Sequence, residues 1–169
     1  SYVDVSEVLE ENLPLFQQLA GSGVKIHLSP LRSATVFMNR MHLEQICLNL
    51  ITNARDAMDA RGEIGLSLFR VTLDQDRRDR LFGTIAAGRY VGLVVEDTGP
   101  GVPEDVLPRI FEPFFTTKVE DRGTGLGLAL IYRIVKKAGG WVDVKASPKT
   151  GGAVFEVYLP FGRETSVGG

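Results

Sequence analysis

Residues Leu43–Met58, LEQICLNLITNARDAM, carry an apolar stripe and a polar stripe at the same helical spacing. Leu43, Cys47, Leu50, Ala54 and Met58 recur at three- and four-residue steps, which predicts a buried helical face. Gln45, Asn49, Asn53 and Asp56 fall along a neighbouring face. Asparagine is an indifferent helix former, so two of them one turn apart on a core helix need a cause outside helix formation. Capping, or a hydrogen bond to a nearby loop, is one such cause. A pair of amide oxygens aimed at a metal and its phosphates is the other.

Around this helix the chain has the totals of one ordinary domain. Its 169 residues are 44% hydrophobic, enough to bury a core without staples. Nineteen basic residues stand against twenty-one acidic ones, so the overall basic footprint selected by duplex nucleic acid or an anionic membrane is missing, and a phosphate ligand must be held locally. Cys47 is the only cysteine and lies on the apolar stripe, which excludes an internal disulfide and argues against a cysteine-based zinc site. This usage fits a reducing, cytoplasmic compartment. No apolar run reaches the ~18 residues of a membrane span, and the N-terminus lacks signal-peptide character. An anchor of a membrane-bound parent would lie outside this chain.

In chain order, Val3–Ala20 predicts an amphipathic helix with Ser6 as N-cap, ending at Gly21-Ser-Gly23. Val24–Leu28 and Ala34–Met38 read as two strands joined by a turn at Ser29-Pro30. Ile64–Leu73 reads as a further strand and Tyr90–Glu96 as a central one. The charged, glycine-containing stretch Asp74–Arg89 between them predicts an exposed excursion. Leu126–Ala138 has helical spacing stopped by Gly139-Gly140, and Trp141–Ala146 and Ala153–Leu159 close the domain as strands. Helices and strands without strict alternation predict a two-layer α/β sandwich, a mixed sheet with helices on one face. The domain is expected over residues 1–160, with 161–169 a flexible tail.

Three further segments carry chemistry. Asp97 ends the apolar strand and is followed by Thr98-Gly99-Pro100-Gly101. A carboxylate at a rigid strand end accepts a hydrogen bond from an exocyclic amine such as that of adenine, and glycines let backbone approach a flat ring; a turn aspartate capping its own loop has the same sequence. Gly123-Thr124-Gly125-Leu126-Gly127 opens a helix, where unpaired amides and the helix dipole suit a di- or triphosphate. It lacks the Gly-Lys-Ser/Thr of a P-loop, and a glycine-rich hinge is its other reading. Between the two lies Phe111-Glu-Pro-Phe-Phe-Thr-Thr-Lys118. Phe111, Phe114 and Phe115 would pin a loop to the core, and Lys118 is either a solvated charge or a donor that reaches a terminal phosphate.

In order, these four segments resemble the ATP-binding catalytic domain of sensor histidine kinases, in the GHKL superfamily shared with gyrase, heat-shock and mismatch-repair ATPases. Asn49-x-x-x-Asn53 resembles the N-box, Asp97-x-Gly99-x-Gly101 the first glycine box, Phe111–Phe115 the F-box and Gly123–Leu128 the second glycine box. The resemblance covers essentially the whole chain and implies a Bergerat-type fold. It implies that Asn53 holds Mg2+, a cation that takes few protein ligands, with Asn49 supporting the phosphates and Asp56 close by. Asp97 would read the adenine amine, Gly99 and Gly101 would shape its pocket, and Phe111–Arg122 would form the ATP lid carrying Lys118. Gly123, Thr124, Gly125, Leu126 and Gly127 would line the phosphates. Ala153 departs from the pattern, since many relatives have a threonine there.

The superfamily's ATPases place a water-activating glutamate one turn before the metal-binding asparagine, and here that position is Asn49. An amide is no base, so transfer to a supplied nucleophile is expected over direct hydrolysis. Neither His27 nor His42 has the sequence surroundings of the family's phosphoacceptor helix. The resemblance therefore implies an isolated, monomeric catalytic domain that acts on a histidine-bearing dimerisation domain, with a response regulator or receiver domain downstream. A non-catalytic nucleotide-binding module of the same fold is the alternative. Tyr132, Lys136 and Trp141 are expected to share an exposed edge. A similar arrangement, with a similar excursion, occurs in a branch of hybrid histidine kinases whose catalytic domain binds cyclic di-GMP, where stacking on guanine would be the physics. Packing with a surface cation over a ring is the other reading.

Overall fold

The computed structural model describes residues 1–29, 33–112 and 127–162. Its centre is a five-stranded mixed sheet in the order β2 (Val24–Ser29), β4 (Gly62–Leu73), β7 (Gly88–Asp97), β9 (Ala153–Pro160), β8 (Trp141–Ala146). The pair β2–β4 is parallel and the other three pairs are antiparallel. Alternation along the strands sends Ile64, Leu66, Leu93, Val95, Phe155 and Val157 to one face, all nearly or fully buried. Against that face pack α1 (Val5–Ala20), α2 (Arg40–Ala57) and α3 (Gly127–Ala138). The predicted two-layer sandwich is the observed architecture.

The helix read first begins three residues earlier than its apolar stripe, because Asn39 caps it through a 2.7 Å bond from the Met41 amide. Leu43, Cys47, Leu50 and Ala54 are buried as predicted. Burial pushes the Cys47 thiol up to about 12, which keeps it protonated and unreactive.

Several expectations are corrected. Asp4, not Ser6, caps α1, with Oδ1 accepting from the Ser6 amide at 2.9 Å; Tyr2–Asp4 is itself a strand, β1. The two strands read as joined by a turn at Ser29-Pro30 do not pair with each other. Val24–Ser29 joins the main sheet beside β4, while β3 (Thr35–Phe37) pairs with β1. Strand formation is local but the choice of partner is not, and β1 was hidden inside a predicted helix. The excursion is not simply exposed: it forms a hairpin of β5 (Arg77–Asp79) and β6 (Gly83–Ile85), and buries Phe82 and Ile85. The chain also stays anchored past Pro160, through Phe161 N–H to Arg89 O and Gly162 N–H to Thr35 O. Residues 163–169 lie outside the described part.

Candidate nucleotide site

Asp97 is the last residue of β7 and only 2% exposed. Its Oδ1 accepts from the Gly99 amide at 2.8 Å and the Ala153 amide at 3.1 Å. Burial raises its carboxyl above the ordinary value, those two amides pull it back down, and Glu96 adds a smaller upward push. Both bonds fall on one oxygen, which leaves Oδ2 as an acceptor for something else.

The surrounding loops are fixed by close contacts. Thr150 Oγ1 donates to the Asp97 carbonyl at 3.4 Å and accepts from the Gly152 amide at 3.1 Å. A side chain on Gly152 would run into the Asp97 carbonyl oxygen, so only glycine lets the β8–β9 turn come this near. Gly101 has φ +83°, a conformation that disfavours side chains. Met58, at the end of α2, accepts from the Thr98 amide through Sδ at 3.4 Å. It thereby ties α2 to the Asp97 loop. Ala153, noted in the sequence as a departure, engages Asp97 through its backbone.

At the other end are Asn49 and Asn53. Both are half-buried on α2, and neither side-chain amide has a hydrogen-bond partner among the described residues. A methyl group at Gly127, the first residue of α3, would sit 3.7 Å from Asn49 Oδ1. The start of the described part of α3 therefore lies beside Asn49. Asp56, one turn beyond Asn53, holds Arg55 at 3.0 Å, and Arg55 in turn donates to Leu19 O of α1. A cavity of about 840 Å3 opens beside Asn49 and Gly127, walled by Leu81, Phe111 and Tyr132.

The residues present suit Mg2+. No group of three or more acidic, histidine or cysteine side chains gathers among the described residues, so a cation that needs a protein cage would find none. One unpartnered amide oxygen, with phosphate and water completing the shell, is within magnesium's habits.

The structure thus brings Asn49 and Gly127 together, with Asn53 one turn further along α2, and gathers Asp97 with Gly99 and Gly101 beyond the end of that helix. Phe114, Phe115, Lys118, Arg122, Gly123, Thr124, Gly125 and Leu126 lie outside the described residues. Sequence reading missed Met58, Thr150 and Gly152 as parts of the site. The pair Gly151-Gly152 was the available signal. The exposed edge expected of Tyr132, Lys136 and Trp141 does not exist as such: Trp141 is 2% exposed, stacked on Tyr158 at 4.2 Å with the Arg77 guanidinium 4.5 Å above its ring. The hairpin supplies that arginine, which strand-level reading could not place.

A mixed sheet with three helices on one face, asparagines on the middle helix and a strand-end aspartate define an ATP-binding α/β sandwich. The family model described as histidine kinase-, DNA gyrase B-, and HSP90-like ATPase matches residues 38–163, and the chain belongs to this family. It is 37% identical over 159 residues to sensor kinase CckA of Brucella abortus, covering 94% of this chain and 17% of that protein. It is 38% identical over 159 residues to the two-component sensor PprA of Pseudomonas aeruginosa, covering 89% and 16%. The chain therefore spans about a sixth of the length of these curated relatives. Among solved structures, the mycobacterial sensor histidine kinase MprB superposes with a TM-score of 0.72 at 26% identity, covering 95% of this chain and 97% of that one. Full-length ShkA in complex with AMPPNP gives 0.69 at 29% identity, covering 98% and 32%.

Proposed function

We propose that this chain binds Mg-ATP and donates the γ-phosphoryl group to a histidine on a separate dimerisation domain, as the catalytic domain of a two-component sensor kinase. The observation that carries the reading is α2 itself. It carries two amides that have no partner among the described residues, Asn49 beside Gly127 and Asn53 one turn on, and through Met58 it braces the loop of a buried carboxylate whose Oδ2 has no bond among the described residues. From Asn53 to Met58 is five residues, about 7 Å along the helix axis, a separation suited to the distance between a nucleotide's phosphates and its base. The AMPPNP in the ShkA structure supports the same ligand class.

In this reading Asp97 Oδ2 accepts from the adenine amine, and Gly99 and Gly101 keep the pocket flat. Asn53 and Asn49 hold the phosphate end, with Mg2+ neutralising the phosphate oxygens when bound. The family resemblance assigns Gly123–Gly127 to the phosphates and Lys118 to the terminal one; of these only Gly127 is among the described residues. Asn49 orients and does not deprotonate, so water is not activated and the phosphoryl group waits for a supplied nucleophile. His27 is bonded to Glu63 at 2.9 Å in β2 and His42 lies exposed at the start of α2, which supports an acceptor from another domain.

A groove of about 640 Å3 between the start of α2 and α3 suits that partner. Phe37, Met38, Leu130 and Ile134 line it and Arg133 and Lys137 supply cations; Leu130 and Arg133 also line the cavity beside Asn49. A response regulator or receiver domain then takes the phosphoryl group. Residues 1–160, with the anchored Phe161 and Gly162, form the catalytic unit, monomeric when isolated. No described helix is long and apolar enough to cross a membrane, and a cytoplasmic location follows from the ATP-dependent role.

Cyclic di-GMP is the proposed regulator. The Trp141 ring already carries a flat cation, Arg77, and Lys136 Nζ donates to Tyr132 Oη at 3.2 Å nearby. Guanine would exchange with Arg77 over Trp141, so Arg77→Ala should bind cyclic di-GMP more tightly than the unaltered domain in calorimetry. Absence of heat in both would remove this ligand from the account.

The kinase reading is tested by mixing the domain with radiolabelled ATP and candidate dimerisation helices. Acid-labile, base-stable label on the helices is expected. Magnesium-dependent ATP binding with no transfer to any of them would favour the non-catalytic binding module.

A further inference from the structure

The β4–β7 pair closes at Leu73 opposite Gly88, so the sheet needs nothing from residues 74–87. Those residues nevertheless bury Phe82 and Ile85, and what Phe82 touches lies at the candidate site. Its ring meets Phe111 at 6.0 Å and Tyr132 at 5.0 Å, and Phe111 and Tyr132 are 6.2 Å apart. Three rings from three distant segments close a triangle. Their edge and tilted geometries are the ones that aromatic pairs favour.

The hairpin is held in place for this contact. Asp79 Oδ1 accepts from both the Leu81 amide at 2.8 Å and the Phe82 amide at 2.9 Å, fixing the turn. Tyr132 Oη donates to the Leu81 carbonyl at 2.7 Å. Arg77 lies over Trp141 on the edge strand β8. Leu81, Phe111 and Tyr132 then form the wall of the cavity on whose other side stand Asn49 and Gly127.

Phe111 is buried in the core without belonging to a helix or strand. From Thr98 to Glu112 the chain makes no strand, only turns and the single 3-10 turn Leu107–Arg109. A residue outside any ladder takes its position from side-chain packing. Phe111 is 7% exposed, and among the described residues Phe82 is one of its two ring partners.

We infer that the Arg77–Ile85 hairpin is a positioning element for the nucleotide site, with Phe82 holding Phe111, and so the wall facing Asn49, in its binding geometry. This rests on the ATP reading above. Phe82 touches no reacting group; it acts through Phe111. The excursion is thus a working part of the site and not an ornament on the sheet.

The test compares the unaltered domain with Phe82→Ala and Phe82→Leu in three measurements: thermal midpoint, affinity for a non-hydrolysable ATP analogue with magnesium, and amide hydrogen exchange. Phe82→Ala should weaken binding by roughly 5- to 10-fold, the size of one aromatic pair. It should speed exchange at Ile110 and Glu112, whose amides bond to Leu107 and Arg109 carbonyls, while α2 and the central strands keep their protection. Phe82→Leu, which restores apolar volume, should recover part of both effects. Should Phe82→Ala fail to fold, Asp79→Ala loosens the turn without touching the core and is read the same way. A lowered midpoint with unchanged affinity overturns the inference. If the unaltered domain binds no nucleotide, the ATP reading falls separately, and exchange at Ile110 and Glu112 decides the positioning claim: faster supports it, unchanged overturns it.

Discussion

At the Asp97 end of the site the polar groups are already tied to one another, whereas the side-chain amides of Asn49 and Asn53 have no hydrogen-bond partner among the described residues. Asp97 Oδ1 holds two backbone amides, Thr150 bridges the Asp97 carbonyl and the Gly152 amide, and Met58 closes the loop from below. Asn49 and Asn53 have no such network among the described residues. One end is preorganised; in the proposed reading the other is completed by its ligand. Recognition of a flat base needs a fixed acceptor and little ordering cost, while a metal with its phosphates brings its own geometry.

The comparison is broken most severely at Asp97. Asp97→Asn keeps an oxygen for the Gly99 and Ala153 amides but turns a donor toward the adenine amine. ATP affinity should fall by about 1.5–3 kcal/mol, roughly 10- to 100-fold, with discrimination against GTP reduced because guanine offers an acceptor there. Competition binding with both nucleotides checks this. Next is Gly152→Ala, whose methyl would press on the Asp97 carbonyl; a loss of about 1–3 kcal/mol in folding stability is expected by denaturant titration.

Acid sharpens the contrast. Because the folded Asp97 carboxyl titrates above its unfolded value, its ionisation costs stability above the folded value, and that cost vanishes below the ordinary carboxylate value, where both states are protonated. As pH falls through the raised value, the unaltered domain should lose ATP affinity while Asp97→Asn stays flat, and the stability gap between the two should narrow. The smallest effect belongs to the other end: Asn49→Glu should raise slow ATP hydrolysis, measured as phosphate release, by placing a base where an amide stands.

The same contrast governs what could be read in advance. Asn49 and Asn53 stand out because they violate helix preference on a core stripe, and Asp97 because it ends an apolar strand before glycines. Ala153 was not legible as Asp97's partner, since a backbone amide leaves no residue-specific trace, and Thr150 and Gly152, though marked by the Gly151-Gly152 pair, meet Asp97 only through the β7–β9 pairing. For the same reason the strand expected at Val24–Leu28 was located, but its parallel pairing with β4 was not legible. Phe82 and Trp141 failed for a related cause: isolated aromatics show that they will be buried, but not against what.

The central claim is that Asn53 serves the metal–phosphate end while Asp97 serves the base. Its most direct test is the affinity of a non-hydrolysable ATP analogue for the unaltered domain and Asn53→Ala, each with and without magnesium. Magnesium should strengthen binding to the unaltered domain, whereas Asn53→Ala should stay folded, keep the weak magnesium-independent binding of the Asp97 end and lose the magnesium increment. Equal magnesium dependence in both proteins would contradict the account.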